Sequence, residues 1–271
     1  MEPHDPTIVH SLQADQLPAW LQQCFVQLEP DEAALAFIDS ARRHPHGPVK
    51  TQLHRWLRHF AADFDINAFL GMYRLHLLST RQWGVLLDAS GGRDTLLDVG
   101  AGSGDLTSTL AALFTRTHTT EVSRPSARRL RRRGFTCSCR DVSETGIDGT
   151  YDTVSCLNVL DRCRRPRTLV RTLATAVAPG GNLIVATPLP FDPFYFDGPR
   201  TLEPEEPLEA AGPSWEMALT QLLGELSPQL PGWRLVRFTR APYLSWGDSR
   251  RPLYVHDDAV LLWRRIGESA S

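Results

Sequence analysis

From residue 95 to residue 265, short apolar runs alternate with segments in which apolar residues recur every three or four positions. The runs predict seven strands, at 96–99, 117–122, 135–139, 151–157, 182–187, 233–239 and 259–264. The intervening spacing predicts helices, among them 106–113 and 219–226. Strands that alternate with helices indicate βαβ units, so we predict an α/β fold with a mostly parallel sheet.

Residues 15–90 carry a different pattern, in which apolar residues recur at helical spacing with a break near 45–48. This spacing predicts a helical N-terminal extension over residues 1–90, including a helix at 67–81, followed by the α/β domain over residues 91–267. Such an extension either closes over one side of a ligand pocket or only packs against the domain. Both alternatives fit the pattern.

The first predicted strand runs directly into a glycine-rich turn. Asp98 precedes three glycines at alternate positions, Gly100, Gly102 and Gly104, and Ala101 lies among them. Glycine allows positive φ and has no Cβ, so a ligand can approach the backbone while N–H groups at the helix start point toward it. The even spacing differs from the dinucleotide fingerprint, in which the third glycine follows the second by three residues. We interpret this as a cofactor-binding turn, and a tight turn without a ligand is the alternative.

Polar residues follow three further strands, at the edge where parallel α/β sheets bind their ligands. Glu121 ends the second strand, where an acid can accept hydrogen bonds from both ribose hydroxyls. Asp141 follows the third strand, in a position to bind an adenine amino group. Asn158 and Asp161 follow the fourth strand, where they either face the reacting end of the cofactor or cap the next helix. These residues predict adenosine binding without separating one adenosine cofactor from another.

Composition narrows the classes of partner. A formal net charge of −2 gives no general attraction to nucleic acid or anionic membranes, and no run of about 18 apolar residues predicts a transmembrane helix. Arginines at 128–133 form a basic patch on a predicted helix, but no aromatic residues are interleaved with them. A solvated helix face is our interpretation, and nucleic-acid contact is the alternative. We therefore expect neither membrane insertion nor a nucleic-acid partner.

The cysteines and histidines do not predict a metal site. The five cysteines are odd in number, which favours reduced thiols, and Cys137-x-Cys139 lacks the paired spacing of zinc ligands. His44 and His46 flank a proline in a predicted exposed loop without further ligands. Residues 1–6 are polar and do not resemble a secretory signal. We expect a metal-free, intracellular protein, in the cytoplasm or, as the alternative, in an organelle, and we favour a monomer over an oligomer.

Several strings in the chain resemble one family of methyltransferases. The evenly spaced turn with Asp98 is similar to motif I of class I S-adenosylmethionine (SAM) methyltransferases. The Cys-Leu-Asn-x-Leu-Asp-Arg-Cys string at 156–163 closely resembles the DREV family, and further matching strings lie at 188–191, 238–244 and 254–260. The resemblance extends from about residue 25 to residue 263, whereas the segment 203–212 departs from the family pattern. It implies a Rossmann-like sheet with an antiparallel last strand, and SAM as the methyl donor.

The resemblance also implies a reaction, which is methyl transfer to the pros nitrogen (Nδ1) of histidine within His-x-His motifs of proteins. A histidine side chain is largely neutral at pH 7 and already nucleophilic, so the enzyme has to select the tautomer that is protonated on Nε2. We expect Asp161 to accept that Nε2–H, Asn158 to position the ring or the methyl donor, and Tyr254 to contact the substrate. The residues expected to bind SAM are Asp98, Gly100, Ala101, Gly102, Gly104, Glu121, Asp141 and Asn158.

The segment 188–213 contains nine prolines and glycines, and a long loop at this edge of a sheet is usually functional or mobile. We expect it to form part of a peptide groove. Pro190 and Phe191 would contact the substrate there, together with Arg162 and Tyr243. Acidic residues between 203 and 209 would favour histidine-rich or cationic peptides, and a plain surface loop is the alternative. Two other functions stay open, namely SAM-dependent methylation of a small molecule or RNA, and a non-catalytic SAM-binding adaptor.

Overall fold

The computed structural model describes residues 8, 11–43, 52, 66, 74–88, 93–198, 200–247 and 251–266. An eight-stranded sheet forms the centre of the described part, and a small two-stranded sheet accompanies it. The strands are β1 (Leu75–His76), β2 (Thr95–Val99), β3 (Arg116–Glu121), β4 (Thr136–Cys139), β5 (Tyr151–Leu157), β6 (Val177–Pro188), β7 (Tyr195–Asp197), β8 (Arg200–Leu202), β9 (Trp233–Trp246) and β10 (Leu253–Arg265).

Helices connect most of these strands. They are α1 (Ala19–Cys24), α2 (Glu32–Arg43), α3 (Thr80–Leu87), α4 (Asp105–Ala111), α5 (Arg124–Arg132), α6 (Val142–Thr145), α7 (Pro166–Thr175) and α8 (Trp215–Leu226). Short 3₁₀ turns lie at Ala14–Gln16, Leu160–Arg162 and Ser227–Gln229. Among the described residues, none of these helices combines the length and the apolar composition needed to cross a membrane.

The strand order in the main sheet is β1-β9-β10-β6-β5-β2-β3-β4. The five strands from β6 to β4 are parallel, whereas β10 runs antiparallel to both β6 and β9. The mostly parallel sheet with an antiparallel last strand is therefore confirmed. Parallel pairing places the carboxyl ends of β2, β3 and β5 at one edge, with Asp98 opposite Thr119 and Ser155.

The sheet has eight strands where the sequence predicted seven, because β1 was not anticipated. Residues 67–81 were predicted to be helical, but Leu75 and His76 pair with Ser245 and Leu244 of β9. The pairing is available because β9 continues to Trp246, beyond its predicted end at 239. Local spacing does not report such a long-range partner. Residues 67–73, the His44–His46 pair and most of the predicted helical stripes at 45–64 lie outside the described residues.

Apolar residues pack on both faces of the sheet, as alternation along its strands requires. Leu97 and Val99 of β2 belong to one core cluster, which also contains residues of α7 and α8. Leu96 belongs to the other cluster, together with residues of α3 and α4. The resulting helix–sheet–helix layers fix the carboxyl edge of the parallel strands between them.

Candidate active site

The turn after β2 adopts the conformation that only glycine accepts readily. Gly100, Gly102 and Gly104 have φ angles of +71°, +54° and +79°. A Cβ added at Gly104 would lie 2.8 Å from the side chain of Leu130 in α5, so close packing explains that glycine. A Cβ added at Gly102 would meet no protein atom within 4 Å. Gly102 is therefore the glycine that leaves room for a ligand.

A cavity of about 1060 Å³ lies between the carboxyl edge of the parallel strands and the strands β9 and β10. It is slightly larger than the usual range for small-molecule sites, roughly 300–1,000 Å³, so a nucleoside cofactor and a substrate side chain fit together. The predicted site residues that line it are Asp98, Gly100, Ala101, Gly102, Glu121, Asp141, Asn158, Arg162, Tyr243 and Tyr254. The predicted site residues outside its lining are Gly104, Asp161, Pro190 and Phe191.

Asp98 lies at the base of the glycine turn and is almost fully buried. Its carboxyl oxygens accept hydrogen bonds from Ser155 Oγ and Thr107 Oγ1, each at 2.6 Å. Burial raises the pKa of Asp98 to about 6, against the lowering effect of the two hydroxyl groups, and nearby Glu121 raises it further. A cationic ligand group would favour the ionised form, because an opposite charge lowers the pKa of a carboxyl group.

Glu121 and Asp141 form the end of the cavity that was predicted to bind adenosine. One oxygen of Glu121 accepts the Gly102 N–H at 2.7 Å, and the other accepts the Ser123 N–H at 2.9 Å. Asp141 caps α6, accepting hydrogen bonds from the Ser143 N–H at 2.9 Å and the Ser143 hydroxyl at 2.7 Å. Asp141 therefore serves as a helix cap and also lines the cavity.

The opposite end of the cavity is built by Asn158 and by side chains of β9 and β10. Asn158 has a φ of +57°, which is uncommon for a residue other than glycine. Tyr254 and His256 are two residues apart on β10 and both line the cavity. Tyr243 is opposite His256 in the sheet, with ring centroids 6.0 Å apart. Burial raises the pKa of Tyr243, and the Asn158 amide opposes this effect.

Asp161 lies in the 3₁₀ turn after Asn158 and is 3% exposed. Its Oδ2 forms an ion pair with Arg162 Nη1 at 2.9 Å, whereas its Oδ1 has no hydrogen-bond partner among the described residues. Burial raises the pKa of Asp161, and Arg162 acts in the opposite direction. The carboxyl group is thus beside the cavity without lining it, and Arg162 lines the cavity at that point.

The segment 188–213 presents different aromatic residues to the cavity from those predicted. Phe191 is 4% exposed and belongs to the core cluster that includes Leu208 and Trp215, so its ring cannot face a substrate here. Pro190 is exposed but does not line the cavity. Tyr195 and Phe196 line it instead. The sequence alone did not show which aromatic residues of this segment are buried in the core and which line the cavity.

Two acidic residues of the same segment, Glu205 and Glu206, are bound to the protein itself. Glu205 forms ion pairs with Arg164 and Arg165, and Glu206 accepts the Thr168 N–H at 2.7 Å. The pKa of Glu205 is lowered by its bonds to Arg165 and Arg164. No acid of the segment 203–209 lines the cavity. These contacts tether the segment to the start of α7, and they give Glu205 and Glu206 a structural role.

The basic patch of α5 is divided among several contacts. Arg131 donates two hydrogen bonds to the Cys137 carbonyl, and Arg133 pairs with Asp105 at 2.6 Å. Arg129 lines the cavity. The patch is therefore not a uniform solvent-facing surface.

Several cavity residues were not predicted from the sequence, and His256 and Leu75 are two of them. His256 occupies the variable position of the matching Tyr-Val-x-Asp-Asp string, and strand alternation from Tyr254 could have identified it. Leu75 comes from the unpredicted strand β1, where its N–H donates to Asp105 at 3.3 Å. Among its described residues, the N-terminal extension thus contributes Leu75 to the cavity lining.

The chain is similar to one family model and to several solved structures. A family model described as DREV methyltransferase matches residues 10–265. The N-methyltransferase NodS from Bradyrhizobium japonicum WM9, in complex with S-adenosyl-L-homocysteine, is 16% identical with a TM-score of 0.44, covering 69% of this chain and 85% of NodS. A SAM-dependent methyltransferase from Clostridium acetobutylicum is 12% identical with a TM-score of 0.45, and the match covers 65% of this chain and 85% of that protein. The glycopeptide N-methyltransferase MtfA, complexed with SAM, is 16% identical with a TM-score of 0.45, covering 68% and 86%. Because the family match spans nearly the whole chain, this protein belongs to the DREV methyltransferase family.

Proposed function

We propose that this chain transfers a methyl group from SAM to the pros nitrogen, Nδ1, of a histidine in a His-x-His motif of a protein substrate. One observation carries the proposal. The glycine turn and the Asn158, Tyr243 and Tyr254 side chains line the two ends of one cavity, next to the buried Asp161. The strings that resemble the DREV family supply the residues at the second end, so the resemblance and the cavity support the same reaction.

The first end of the cavity fits SAM in shape and charge. Gly102 leaves open space beside the turn, and Asp98 offers a carboxylate to the ammonium group of the methionine part. Glu121 and Asp141 line the same cavity, and we assign Glu121 to the ribose hydroxyls and Asp141 to the adenine amino group. Bound SAM supplies an electrophilic methyl group on a sulfonium sulfur. The protein then has to bring a neutral imidazole to that methyl group in the correct tautomer.

Asp161 is the residue we assign to tautomer selection. Its unpartnered Oδ1 can accept the Nε2–H of the substrate ring, which leaves the Nδ1 lone pair free to attack. After transfer, the ring carries a positive charge that the carboxylate stabilises. Because Arg162 pairs with Asp161 and lines the cavity, this role requires the Arg162 side chain to move when the peptide enters.

Asn158, Tyr243 and Tyr254 would hold the ring in line with the carbon–sulfur bond. Positioning of this kind can supply about 7–11 kcal/mol of a bimolecular barrier. No strong base is needed, since the attacking nitrogen is already unprotonated in the correct tautomer. The reaction therefore depends on orientation and charge stabilisation.

Labelled SAM distinguishes the proposal from the two other functions. We expect label to enter His-x-His peptides and to be absent from matched peptides in which both histidines are alanine. Transfer to RNA or to small amines, but not to these peptides, would replace the proposal with the broader methyltransferase function. SAM binding without transfer to any of them would indicate an adaptor.

A further inference from the structure

Asp258 continues the row of β10 side chains that lines the cavity. Tyr254, His256 and Asp258 are two residues apart, so strand alternation places them on one face of the sheet. The first two line the cavity, whereas Asp258 is fully buried between Ala241 of β9 and Pro188 of β6. A carboxyl group therefore lies in the sheet interior, in line with two side chains of the site.

Cations compensate the neighbouring acids but not Asp258. Arg162 pairs with Asp161, and Arg240 makes a bond of 2.7 Å to Asp257. Neither oxygen of Asp258 makes a hydrogen bond of standard geometry with any described residue, and no described cation pairs with it. An ionised carboxylate in such a place is costly, and two nearby acids do not readily ionise together.

Burial raises the pKa of Asp258 well above its usual range. An Asn158 N–H directed at the carboxylate favours its ionised form and opposes this shift in part, whereas the oxygen at the other side of the same amide favours the protonated form. The negative charges of Asp161 and Asp257 reinforce the shift. Of the coupled acids Asp161 and Asp258, the one beside Arg162 ionises first. Of these two acids, Asp258 is therefore the one that holds its proton more strongly.

The Asn158 amide is the group that can accept a hydrogen bond from a protonated Asp258. Asn158 adopts a left-handed backbone, and its amide oxygen has no hydrogen bond of standard geometry among the described residues. The same amide lowers the pKa of Tyr243 against the effect of burial, and Tyr243 lines the cavity. We propose that Asp258 is a positioning residue, a neutral carboxylic acid that donates its O–H to the Asn158 amide oxygen and so orients the amide N–H groups toward the cavity. Its effect on turnover rests on the function proposed above, but its protonation does not.

Two substitutions of similar volume separate this role from simple packing. Asp258→Asn keeps a neutral hydrogen-bond donor, whereas Asp258→Val keeps the bulk and favours a strand but cannot donate. We expect kcat for a His-x-His peptide to stay close to wild type in Asp258→Asn and to fall on the order of 10²-fold in Asp258→Val. The SAM dissociation constant should change much less than kcat in both variants, because the glycine turn, Asp98 and Glu121 are distant from Asp258 in the chain and stay intact, and retained SAM binding also verifies folding.

The pH dependence of kcat and the infrared spectrum are two measurements that a purely packing role of Asp258 would leave unchanged. Ionisation of Asp258 at alkaline pH should lower kcat in the wild type and not in Asp258→Asn. The charged and titratable groups around it are Asp161 and Arg162 of the 3₁₀ turn, Tyr243 and Arg240 of β9, and Asp257 and His256 of β10. At neutral pH, the wild-type spectrum should contain a protonated-carboxyl band that is missing in Asp258→Asn.

Three results would overturn the inference. They are the absence of that infrared band, full activity of Asp258→Val, and a loss of kcat in Asp258→Asn equal to that in a folded Asp258→Val. If Asp258→Val does not fold, the inference is tested by the kcat of Asp258→Asn and by the infrared band of the wild-type protein. A wild-type protein that methylates no His-x-His peptide would refute the proposed function, and the infrared band would still test the protonation of Asp258.

Discussion

The affinity for SAM should depend on pH through Asp98. Burial raises the pKa of this carboxyl group to about 6, and only its ionised form attracts the SAM ammonium group. The apparent dissociation constant equals the intrinsic one divided by the binding-competent fraction. We therefore expect constant affinity above pH 7, a twofold weakening near pH 6, and about tenfold weaker binding at pH 5.

Asp98→Asn is the matched control for this experiment. It keeps the size of the side chain, and the Ser155 and Thr107 hydroxyl groups can rotate to bond an amide. Its affinity at pH 8 should be lower by about 1.5–3 kcal/mol, the usual contribution of a hydrogen bond to a charged group. Its affinity should also change little between pH 5 and pH 8, because the titrating group has been removed.

The same pKa shift predicts how the substitution affects folding. A pKa raised from 3.8 to about 6 means that the ionised carboxylate destabilises the folded protein by about 3 kcal/mol at pH 7. The stabilising contribution of the protonated form is complete below about pH 4 and is lost as the pH rises through 6. Asp98→Asn should therefore unfold at a temperature no lower than wild type at pH 7.

Isothermal titration calorimetry with SAM at constant ionic strength measures both proteins across this range. Wild-type affinity that is flat from pH 5 to pH 8 would refute the role of Asp98. An Asp98→Asn variant with the same pH dependence as wild type would assign the titration to another group.

Three further experiments test other parts of the site. Asp161→Asn should keep its SAM affinity in calorimetry and lose most single-turnover activity, whereas lost affinity with normal turnover would contradict its assigned role. Gly102→Ala and Gly134→Ala both place a side chain at positive φ in open space. In denaturant titrations, each variant should be less stable than wild type by about 1–2 kcal/mol. Only Gly102→Ala should also weaken SAM binding. Glu205→Gln removes the ion pairs that tether the segment 188–213. It should therefore raise the peptide KM more than Glu209→Gln does, since Glu209 is exposed. Equal KM values in the two variants would exclude a role for the tether in peptide binding.

Much of the cofactor end could be predicted from sequence because its determinants are local. The glycine turn follows β2, Glu121 ends β3 and Asp141 comes just after β4, and parallel strands bring such positions to one edge. Asn158 was placed by the same reasoning. These residues line one cavity, as the strand order requires.

The substrate end was predicted less completely because long-range packing determines it. Phe191 and Tyr195 lie in one short segment, and only the packing of α8 and residues 208–210 decides which of them is buried. Strand β1 exists through its pairing with the end of β9. Asp258 lies within a string that matched the family, but its isolation from cations depends on neighbours distant in sequence.

The identity of the methylated nitrogen tests the central claim most directly. A His-x-His peptide methylated by the wild-type protein would be hydrolysed to amino acids, and the product compared chromatographically with pros- and tele-methylhistidine standards. If Asp161 holds Nε2–H and leaves Nδ1 free, the product is pros-methylhistidine alone. Tele-methylhistidine as the product would contradict the orientation on which the account depends.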